Sequence, residues 1–429
     1  MKILLVSSNI ADTPYAVYPF GMSIVASALS SAGYCVKQTD FLQSKKSLDV
    51  LSKELNAMQP NIVGVSMRNI DNVNSVNEQR YIDSVVDIVL TVKKNSSAIV
   101  VLGGSGFSLM PDEILEKTGA DYGITGEGEK LMVEFVKNAE KGIFPGAKIL
   151  RSKNTIAGCN ISSALHDLKL MKYYLRRINV ASVQTKRGCP YKCIYCSYPL
   201  LEGDRVRVRS PKIVIEDIKK LTRKYGIKLI FFVDSVFNDS EGRYLELIEQ
   251  MKYHKVNVSW TALFTPRGLT DKNVKLMKDT GLRFAELGSD APTDFTLKRL
   301  GKSFLFQDII NANDLLVRHK VTPLHCYMFG CPGETKETVI EGIKNIKKLK
   351  SSVSVIYMGI RIFPNTKLAK VAENDGIIKK ECNLLDSAYY ISPLVDKKWL
   401  KKILIKSFKG VKNCIFPPDA LSNYRIYKK

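Results

Sequence analysis

The chain has 429 residues, a formal net charge of +23 at pH 7 and nine cysteines. Its length predicts two or three domains, each large enough to bury its own core. No apolar stretch approaches the roughly 20 residues of a membrane span, and the apolar start at residues 1–9 is too short for a secretory signal. An odd number of cysteines fits reduced thiols better than a disulfide framework, so we expect a cytoplasmic protein.

The charge is unevenly distributed along the chain. Residues 1–140 carry 12 Lys and Arg against 16 Asp and Glu, whereas residues 141–429 carry 53 against 26. This difference predicts two modules, one acidic and one basic. The basic module is compatible with nucleic acid, an anionic membrane or an acidic substrate, and equally with lysines that are merely solvated.

The first 140 residues alternate strand-like apolar runs with helix-like periodic stretches. This alternation predicts a doubly wound parallel sheet of the Rossmann-like type. Ligands of such sheets bind beyond the carboxyl ends of the strands, so the loops that follow the strands are candidate sites. The predicted strands are 2–9, 35–41, 61–67, 98–102 and 122–125, and the predicted helices are 20–33, 48–58, 76–94, 113–117 and 130–138.

Four of these loops have distinctive sequences. The loop at 9–21 contains Pro and Tyr residues, the third strand is followed by Ser-Met-Arg-Asn at 66–69, and Gly-Gly-Ser-Gly at 103–106 follows the fourth. After the fifth strand comes Gly-Glu-Gly-Glu at 126–129. A glycine turn lets the backbone approach a bulky ligand closely. Because many α/β loops contain such glycines, they do not identify the ligand alone.

A segment of about 40 residues, 141–178, is predicted to be a linker between the modules. It contains Pro145, Gly146 and Gly158, and only one short apolar-periodic stretch at 165–174. Such turn-forming residues are typical of connecting segments.

Three cysteines, Cys189, Cys193 and Cys196, are spaced Cys-x3-Cys-x2-Cys directly after a predicted strand at 180–185. Their loop therefore lies at the carboxyl end of a strand, where parallel-barrel enzymes keep their chemistry. Three thiolates can bind three irons of a four-iron, four-sulfur (4Fe–4S) cluster and leave the fourth iron open to a substrate or cofactor. A zinc site or purely structural cysteines are the alternatives, but no fourth ligand follows closely.

The region 179–385 repeats the strand and helix pattern six times, which predicts a partial (β/α)6 barrel. Asp234 directly follows a buried strand, a position where a carboxylate is costly in a core but natural as a polar ligand. The predicted strands after the cysteine loop are 228–233, 256–262, 283–287, 324–329 and 353–360.

The region 386–429 is predicted to be a basic, amphipathic extension. Its lysines face either an anionic membrane surface or solvent while the apolar side packs on the barrel. The apolar positions at helical spacing are Trp399, Leu400, Ile403, Leu404, Phe408 and Val411, and the basic residues are Lys397, Lys398, Lys401, Lys402, Lys406, Lys409, Lys412, Arg425, Lys428 and Lys429.

The cysteine loop resembles the radical S-adenosylmethionine (SAM) superfamily. The family pattern Cys-x3-Cys-x-aromatic-Cys is met with Tyr195, and the lead-in Arg-Gly-Cys-Pro is present at 187–190. Three further landmarks are similar: 286–289, 329–335 and 363–366. The residue before Ser289 is glycine, which leaves open whether Glu286 or Asp290 meets the SAM ribose. The resemblance implies SAM contacts from Tyr195, Asp234, Ser235, Glu286, Ser289, Asp290 and Arg361.

The first module, with the cysteine motif downstream, resembles the cobalamin-binding domain that precedes many radical SAM cores. Residues 1–165 contain no histidine, so the histidine that ligates cobalt from below in other cobalamin proteins is absent. Either cobalamin binds without that ligand, or the domain has lost the cofactor. The resemblance implies cobalamin contacts from Tyr18, Ser66, Arg68, Asn69, Gly103, Gly104, Ser105, Gly126 and Glu127.

Together these resemblances imply reductive cleavage of SAM to a 5′-deoxyadenosyl radical and methylation of an unactivated carbon by methylcobalamin. The alternatives are a radical rearrangement or cyclisation without methylation, and a non-catalytic cobalamin-binding sensor. The run at 66–71 also resembles proteins assigned to lipid biosynthesis, so we expect a small-molecule or lipid-like substrate. An external one-electron reductant of the flavodoxin or ferredoxin type is implied as well, and no nucleic acid is expected.

Overall fold

A computed structural model of the chain describes residues 1–12, 15–152 and 155–423. Pro14 in the first loop and Arg425, Lys428 and Lys429 in the tail lie outside the described residues. The chain divides into two compact units, which are described separately. Unit 1 comprises 1–72, 79–178 and 200–202, and unit 2 comprises 73–78, 179–199 and 203–429.

Unit 1 is built on a six-stranded parallel sheet in the order β2-β1-β3-β4-β5-β6. Strand β1 has an almost wholly buried apolar sequence, as expected where helices cover both faces of a parallel sheet. The predicted doubly wound fold is confirmed. Its elements are β1 (Lys2–Ser7), α1 (Phe20–Ser31), β2 (Cys35–Asp40), α2 (Leu48–Met58), β3 (Ile62–Ser66), α3 (Ile82–Asn95), β4 (Ile99–Gly103), α4 (Ser105–Leu109), α5 (Pro111–Thr118), β5 (Tyr122–Thr125), α6 (Gly128–Ala139), β6 (Ile149–Arg151) and α7 (Leu168–Arg177).

The predicted linker at 141–178 is wrong, because this segment is an integral part of unit 1. Strand β6 pairs with β5 as the sixth strand of the sheet. Helix α7 buries Leu170, Met171 and Tyr174, and the Tyr174 hydroxyl donates to Asp40 at 3.1 Å. The turn-forming residues of this segment concealed the short strand and the buried helix face.

The predicted helix at 76–94 begins six residues later, at Ile82. Before it, residues 71–80 form a hairpin in which Asp71 bridges Arg80 and the Asn72 amide donates to the Gln79 carbonyl at 3.0 Å. The hairpin tip, 73–78, groups with unit 2. There Asn74 and Asn77 each donate an amide hydrogen to Asp419, at 2.9 and 2.8 Å.

Unit 2 is built on a seven-stranded parallel sheet in the order β17-β14-β13-β12-β11-β10-β7. The first six strands of this sheet along the chain are β7, β10, β11, β12, β13 and β14, and they confirm the predicted partial barrel. The elements are β7 (Val180–Val183), β8 (Lys186–Arg187), α8 (Tyr198–Glu202), β9 (Arg207–Val208), α9 (Pro211–Tyr225), β10 (Leu229–Phe232), α10 (Tyr244–Tyr253), β11 (Ser259–Phe264), α11 (Asp271–Asp279), β12 (Leu282–Asp290), α12 (Asp294–Arg299), α13 (Phe306–Arg318), β13 (Thr322–Phe329), α14 (Lys336–Lys348), β14 (Val353–Met358), β15 (Ile360–Arg361), α15 (Lys367–Asn374), β16 (Tyr389–Tyr390), α16 (Lys397–Phe408) and β17 (Cys414–Ile415).

The region 386–423 is part of unit 2 rather than a separate extension. Strand β17 pairs with β14, and Ile415 packs with Leu324 and Val355 in a buried cluster. Helix α16 buries Leu400, Leu404 and Phe408, which confirms that its apolar side packs on its own domain. Among the described residues, no helix is both long enough and apolar enough to cross a membrane.

Candidate functional site

The loop with the three cysteines begins at a turn that is held by Asp234. One oxygen of this buried carboxylate accepts from the backbone amides of Thr185 and Lys186, at 2.7 and 3.1 Å. The other accepts from the Thr185 hydroxyl at 2.5 Å. Burial raises the pKa of Asp234 to about 6, against the opposing effect of the Lys186 charge. Asp234 therefore fixes the turn between β7 and the loop, which favours a structural role over direct SAM contact.

A buried ion pair supports the same turn. The Lys186 ammonium donates to Asp239 at 2.6 Å, and the two side chains are 2% and 0% exposed. It also lies 5.5 Å from the centre of the Phe237 ring and 5.8 Å from that of Tyr244. Breaking a pair this deeply buried leaves an uncompensated charge, so the pair holds the start of the loop firmly.

The backbone of the cysteine loop is fastened on three sides. The Cys189 amide donates to the Gly203 carbonyl at 3.1 Å, and the Ile194 amide donates to the Leu300 carbonyl at 3.1 Å. The Ile194 carbonyl accepts from the amide of Leu368, in the first turn of α15, at 2.8 Å. The loop is thus positioned by main-chain contacts from parts of unit 2 that lie far apart in sequence.

The three cysteines form one electrostatic group. All are free thiols; Cys189 is buried, and Cys193 and Cys196 are half-buried. Burial raises the pKa of Cys196 to about 12, and negative charge on Cys193 and Cys189 contributes in the same direction. Cys193 and Cys189 are therefore near enough to Cys196 to affect its pKa, which is in keeping with three cysteines on one short loop.

Tyr195 and Asp290, both predicted from the motif, are brought together here. The Tyr195 hydroxyl donates to the Asp290 carboxylate at 2.6 Å. Burial, followed by the charges of Asp290 and Cys193, raises the pKa of Tyr195 well above its ordinary value, so it remains a hydrogen-bond donor. Asp290 also forms an ion pair with Lys302, a residue that no motif predicts.

Strand β12 separates the remaining acidic and hydroxyl candidates onto opposite faces. Ser289 is fully buried, and its hydroxyl is 2.8 Å from Nδ1 of His325, whose Nε2 is 3.2 Å from the Asn313 amide oxygen. Burial lowers the pKa of His325 to about 3, so the ring is neutral. The geometry therefore favours a core role for Ser289 rather than SAM contact. Glu286 is half-buried on the other face, where its charge influences Cys326.

The loop after β13 contains a buried carboxylate. Glu334 accepts from the amides of Gly330 and Cys331, the latter at 3.0 Å, through a single oxygen. Its other oxygen is buried with no hydrogen-bond partner. Burial raises the pKa of Glu334 to about 7, and the two amides oppose this shift. Glu334 thus closes the turn that leads into α14.

Arg361 and Ser235 differ in their surroundings. Arg361 is buried and donates to the main-chain carbonyls of Ile362 and Leu384, at 2.6 and 2.7 Å. Its guanidinium therefore anchors the segment before β16, which favours a structural role. Ser235, directly after Asp234, is half-buried and stays a candidate for SAM binding.

In unit 1, the glycines at the carboxyl edge of the sheet serve two purposes. Gly104 has φ +98°, and a Cβ there would stand 2.5 Å from the Met67 carbonyl oxygen, so its own chain requires glycine. Gly103 and Gly126 are less crowded, because a Cβ would meet nothing closer than 3.6 and 3.9 Å, although Gly126 also has a positive φ of +72°. At these two positions no side chain would hold a bulky ligand away from the main chain.

The polar residues of unit 1 that are candidates for cobalamin binding differ in their exposure to solvent. Arg68, Asn69 and Ser105 are exposed, and the Ser105 hydroxyl donates to the Arg68 carbonyl at 2.7 Å. Ser66 is half-buried beside them. The first three are therefore free to reach a ligand at this edge.

Tyr18 and Glu127 are occupied within unit 1. The Tyr18 ring is buried 5.6 Å from Tyr174, and its hydroxyl accepts from the Asp167 amide at 3.2 Å. Glu127 accepts from the Ile156 amide at 2.6 Å. Both contacts hold the segment that follows the sheet, which favours structural roles over cobalamin contact.

Two known protein families match different parts of the chain, and the two matches lie on either side of the main boundary between the units, at residues 178 and 179. The B12 binding domain family matches residues 6–136, and the Radical SAM superfamily matches residues 183–373. The chain therefore contains a B12-binding domain followed by a radical SAM domain. The predicted family and fold class are confirmed.

Relatives and a solved structure extend this comparison. An uncharacterized methyltransferase of Pyrococcus horikoshii is 27% identical over 85% of this chain and 82% of its own length. The anaerobic magnesium-protoporphyrin IX monomethyl ester cyclase of Cereibacter sphaeroides is 25% identical over 80% of this chain and 59% of its own length. The radical SAM methyltransferase TsrM of Kitasatospora setae, solved with cobalamin and a 4Fe–4S cluster, shares the fold, with 22% identity, a TM-score of 0.84 and coverage of 97% of this chain and 93% of its own.

The radical SAM domain offers a donor set that fits a cluster. Within 1–12, 15–152 and 155–423, no three His, Cys, Asp or Glu side chains are close enough to bind one metal ion together. A cubane assigns each thiolate to a different iron, so its sulfurs need not converge on one point. Cys189, Cys193 and Cys196 supply three such thiolates on one loop.

The B12-binding domain also fits its family cofactor at the carboxyl edge. Gly103 and Gly126, together with the exposed Arg68, Asn69 and Ser105, lie at or beyond the ends of β3, β4 and β5. Residues 1–165 contain no histidine, and the ring of His166 lies 5.4 Å from that of Tyr18.

Sequence reasoning missed the side chains that support the loop. Lys302 follows a short helix with no motif of its own, and His325 lies inside β13. One signal was available for Ser289: Ala285, Leu287 and Ser289 alternate as buried positions once β12 is extended to Asp290.

Proposed function

We propose that this chain is a cobalamin-dependent radical SAM methyltransferase that methylates an unactivated carbon. The observation that carries the proposal is the group of Cys189, Cys193 and Cys196 on one fastened loop at the carboxyl end of β7. The name of the Pyrococcus relative and the cofactors bound to TsrM support the methyl transfer.

The bound cofactors would supply a 5′-deoxyadenosyl radical from SAM and a methyl group from methylcobalamin. The residues of this chain position and shield them. Cys189, Cys193 and Cys196 hold the cluster, Tyr195 and Asp290 fix the loop, and Glu286 and Ser235 are proposed to bind SAM. Asp234, Ser289 and Arg361 act as supports of the site, in keeping with their occupied hydrogen bonds.

Cobalamin is proposed to lie at the carboxyl edge of the first sheet. Arg68, Asn69 and Ser105 would contact its polar substituents, and Gly103 and Gly126 would let the flat ring system approach the main chain.

A second enzymatic function is a radical cyclisation without methyl transfer. The similarity to the Cereibacter cyclase favours it as the alternative. The two reactions differ in the fate of the SAM methyl group, because only methylation carries it into the product.

The deciding experiment is anaerobic turnover with SAM that carries a deuterated methyl group. The enzyme, with reconstituted cluster and cobalamin, is incubated with reductant and with small-molecule and lipid extracts, and the products are analysed by mass spectrometry. Deuterium in a product supports methylation, whereas 5′-deoxyadenosine with an unlabelled product supports cyclisation. A Cys193→Ala variant is the control. If it performs the chain's biological role unchanged, a non-catalytic sensor function is correct instead.

We propose a cytoplasmic location and an external reductant of the flavodoxin or ferredoxin type. The nine cysteines are all free thiols in the described structure, as expected in a reducing compartment. A small-molecule or lipid-like substrate fits the relatives better than nucleic acid. The exposed lysines of α16 support an electrostatic contact with anionic lipid, while Leu400, Leu404 and Phe408 of the same helix are buried in its own unit. Sedimentation with anionic and neutral vesicles tests this contact.

A further inference from the structure

Lys302 is brought to the cysteine loop by the main chain around it. It follows α12 by a few residues. Leu300, the C-cap residue of that helix, accepts a hydrogen bond at its carbonyl from the Ile194 amide at 3.1 Å. At Gly301, φ is +75°, and a Cβ would stand 2.8 Å from the Lys192 carbonyl oxygen. These backbone contacts hold residues 300–302 against the cysteine loop. The position of the Lys302 side chain beside this loop is therefore fixed by the main chain.

The ammonium of Lys302 lies among groups of the cluster site. Its side chain is 9% exposed and forms an ion pair with Asp290, the carboxylate that accepts from the Tyr195 hydroxyl. The ammonium lies 5.6 Å from the centre of the Tyr195 ring. Because Tyr195 stands between Cys193 and Cys196 in the sequence, the cation lies beside the part of the loop that carries these two cysteines.

This lysine is charged despite its burial. Its ammonium and the Asp290 carboxylate form an ion pair whose side chains are only 9% and 15% exposed, and this pairing offsets the cost of burying the charge. A buried charge acts more strongly on its neighbours than a solvated one, because little water screens it. Asp290 limits the effect, since its negative charge partly cancels the ammonium's field at the sulfurs.

The charge of Lys302 bears on the one-electron reduction of the cluster, which radical SAM chemistry requires. Reduction adds one negative charge to the cluster, so a nearby cation favours the reduced state and a nearby anion opposes it. Cluster potentials are known to respond to net charge and to hydrogen bonds to the sulfurs. The Lys302–Asp290 pair places two opposed charges beside the loop that carries the cysteines.

We propose that Lys302 is a positioning residue that raises the reduction potential of the cluster held by Cys189, Cys193 and Cys196, and that Asp290 moderates its effect. The inference rests on the cluster of the proposed function, and it concerns the ease of reduction rather than the identity of the substrate.

The test compares substitutions of opposite charge effect in the full-length, anaerobically reconstituted protein without SAM. Reduction is followed by electron paramagnetic resonance (EPR) at controlled potentials, and iron is measured for each variant. Lys302→Met should shift the midpoint potential to more negative values, because it removes the cation. Asp290→Asn, which keeps an acceptor for Tyr195, should shift it to more positive values. Lys302→Arg should stay close to the wild type.

Lys298→Met provides the matched control. It removes one lysine charge from an exposed position on α12, the helix that precedes Lys302, so the potential should not change. If Lys302→Met loses its cluster, the Asp290→Asn variant decides the question by the sign of its shift.

Opposite shifts support the proposal, because a merely structural role would not reverse sign between the two variants. Unchanged potentials, or shifts of the same sign, would overturn it while leaving the proposed function intact. A wild-type protein that binds no iron under these conditions would overturn both.

Discussion

Gly188 lies so close to Arg205 that a Cβ on it would stand 2.1 Å from the Arg205 carbonyl oxygen. Its φ of +89° adds a second reason for glycine, because side chains disfavour this region by about 1–2 kcal/mol. Cys189 follows directly and donates its amide to Gly203. The glycine therefore sets the point from which the cysteine loop leaves the sheet.

We expect Gly188→Ala to lose most of its iron, because the methyl group must displace the backbone that positions Cys189. Iron per chain after anaerobic reconstitution measures the effect. Gly268→Ala is the matched control: its φ is +77°, but a Cβ there meets nothing within 4 Å. Gly268→Ala should be destabilised only by its unfavourable φ, and it should keep its iron. Equal iron retention by the two variants would refute this role for Gly188.

Ser289→Ala should lower stability without weakening SAM binding. The substitution leaves buried Nδ1 of His325 without its partner, which costs about 1–3 kcal/mol. Glu286→Gln, on the other face of β12, should weaken SAM binding with little loss of stability. Denaturant unfolding and calorimetric SAM titration separate the two effects. Loss of SAM affinity in a stable Ser289→Ala protein would restore Ser289 as a SAM contact.

Glu334→Gln should stabilise the protein in a pH-dependent way. The folded pKa of Glu334 is raised to about 7, so its stabilising contribution is complete below the unfolded pKa near 4.5 and is lost as the pH rises through about 7. The neutral amide avoids this loss. The free energy of unfolding of the variant should equal that of the wild type at pH 4.5. It should exceed the wild-type value by at most about 3 kcal/mol above pH 7. Unfolding free energies across this range test it, and a pH-independent difference would contradict it.

Arg68→Ala should release cobalamin without affecting folding. Arg68 is exposed at the carboxyl edge of the first sheet, so its loss removes a proposed ligand contact but no core packing. Lys53→Ala, an exposed basic residue on α2, is the control. Bound cobalamin is measured by its visible absorbance after gel filtration. Equal retention by both variants would place the cofactor elsewhere.

The sequence was most informative where a pattern repeats or a motif is dense. Strand and helix alternation predicted both sheets, and the spacing of Cys189, Cys193 and Cys196 predicted their grouping. Gly104 was harder, because a glycine that the ligand needs and one that the chain itself needs look alike in sequence. Here the close Met67 carbonyl explains it.

Other features depend on contacts between distant segments. Lys302 reaches the cysteine loop only because Leu300 and Gly301 pack against that loop, and no local pattern encodes the contact. The strand β6 and the hairpin tip 73–78 are similar cases, since both are defined by partners far along the chain. Such partners become visible only in the folded structure.

The central claim is that the three cysteines of one loop hold an iron–sulfur cluster. Iron per chain in the anaerobically reconstituted protein, compared with the Cys193→Ala variant, tests it most directly. We predict about four irons per wild-type chain and almost none in the variant. A wild-type protein without iron, or a variant that retains the full amount, would contradict the account.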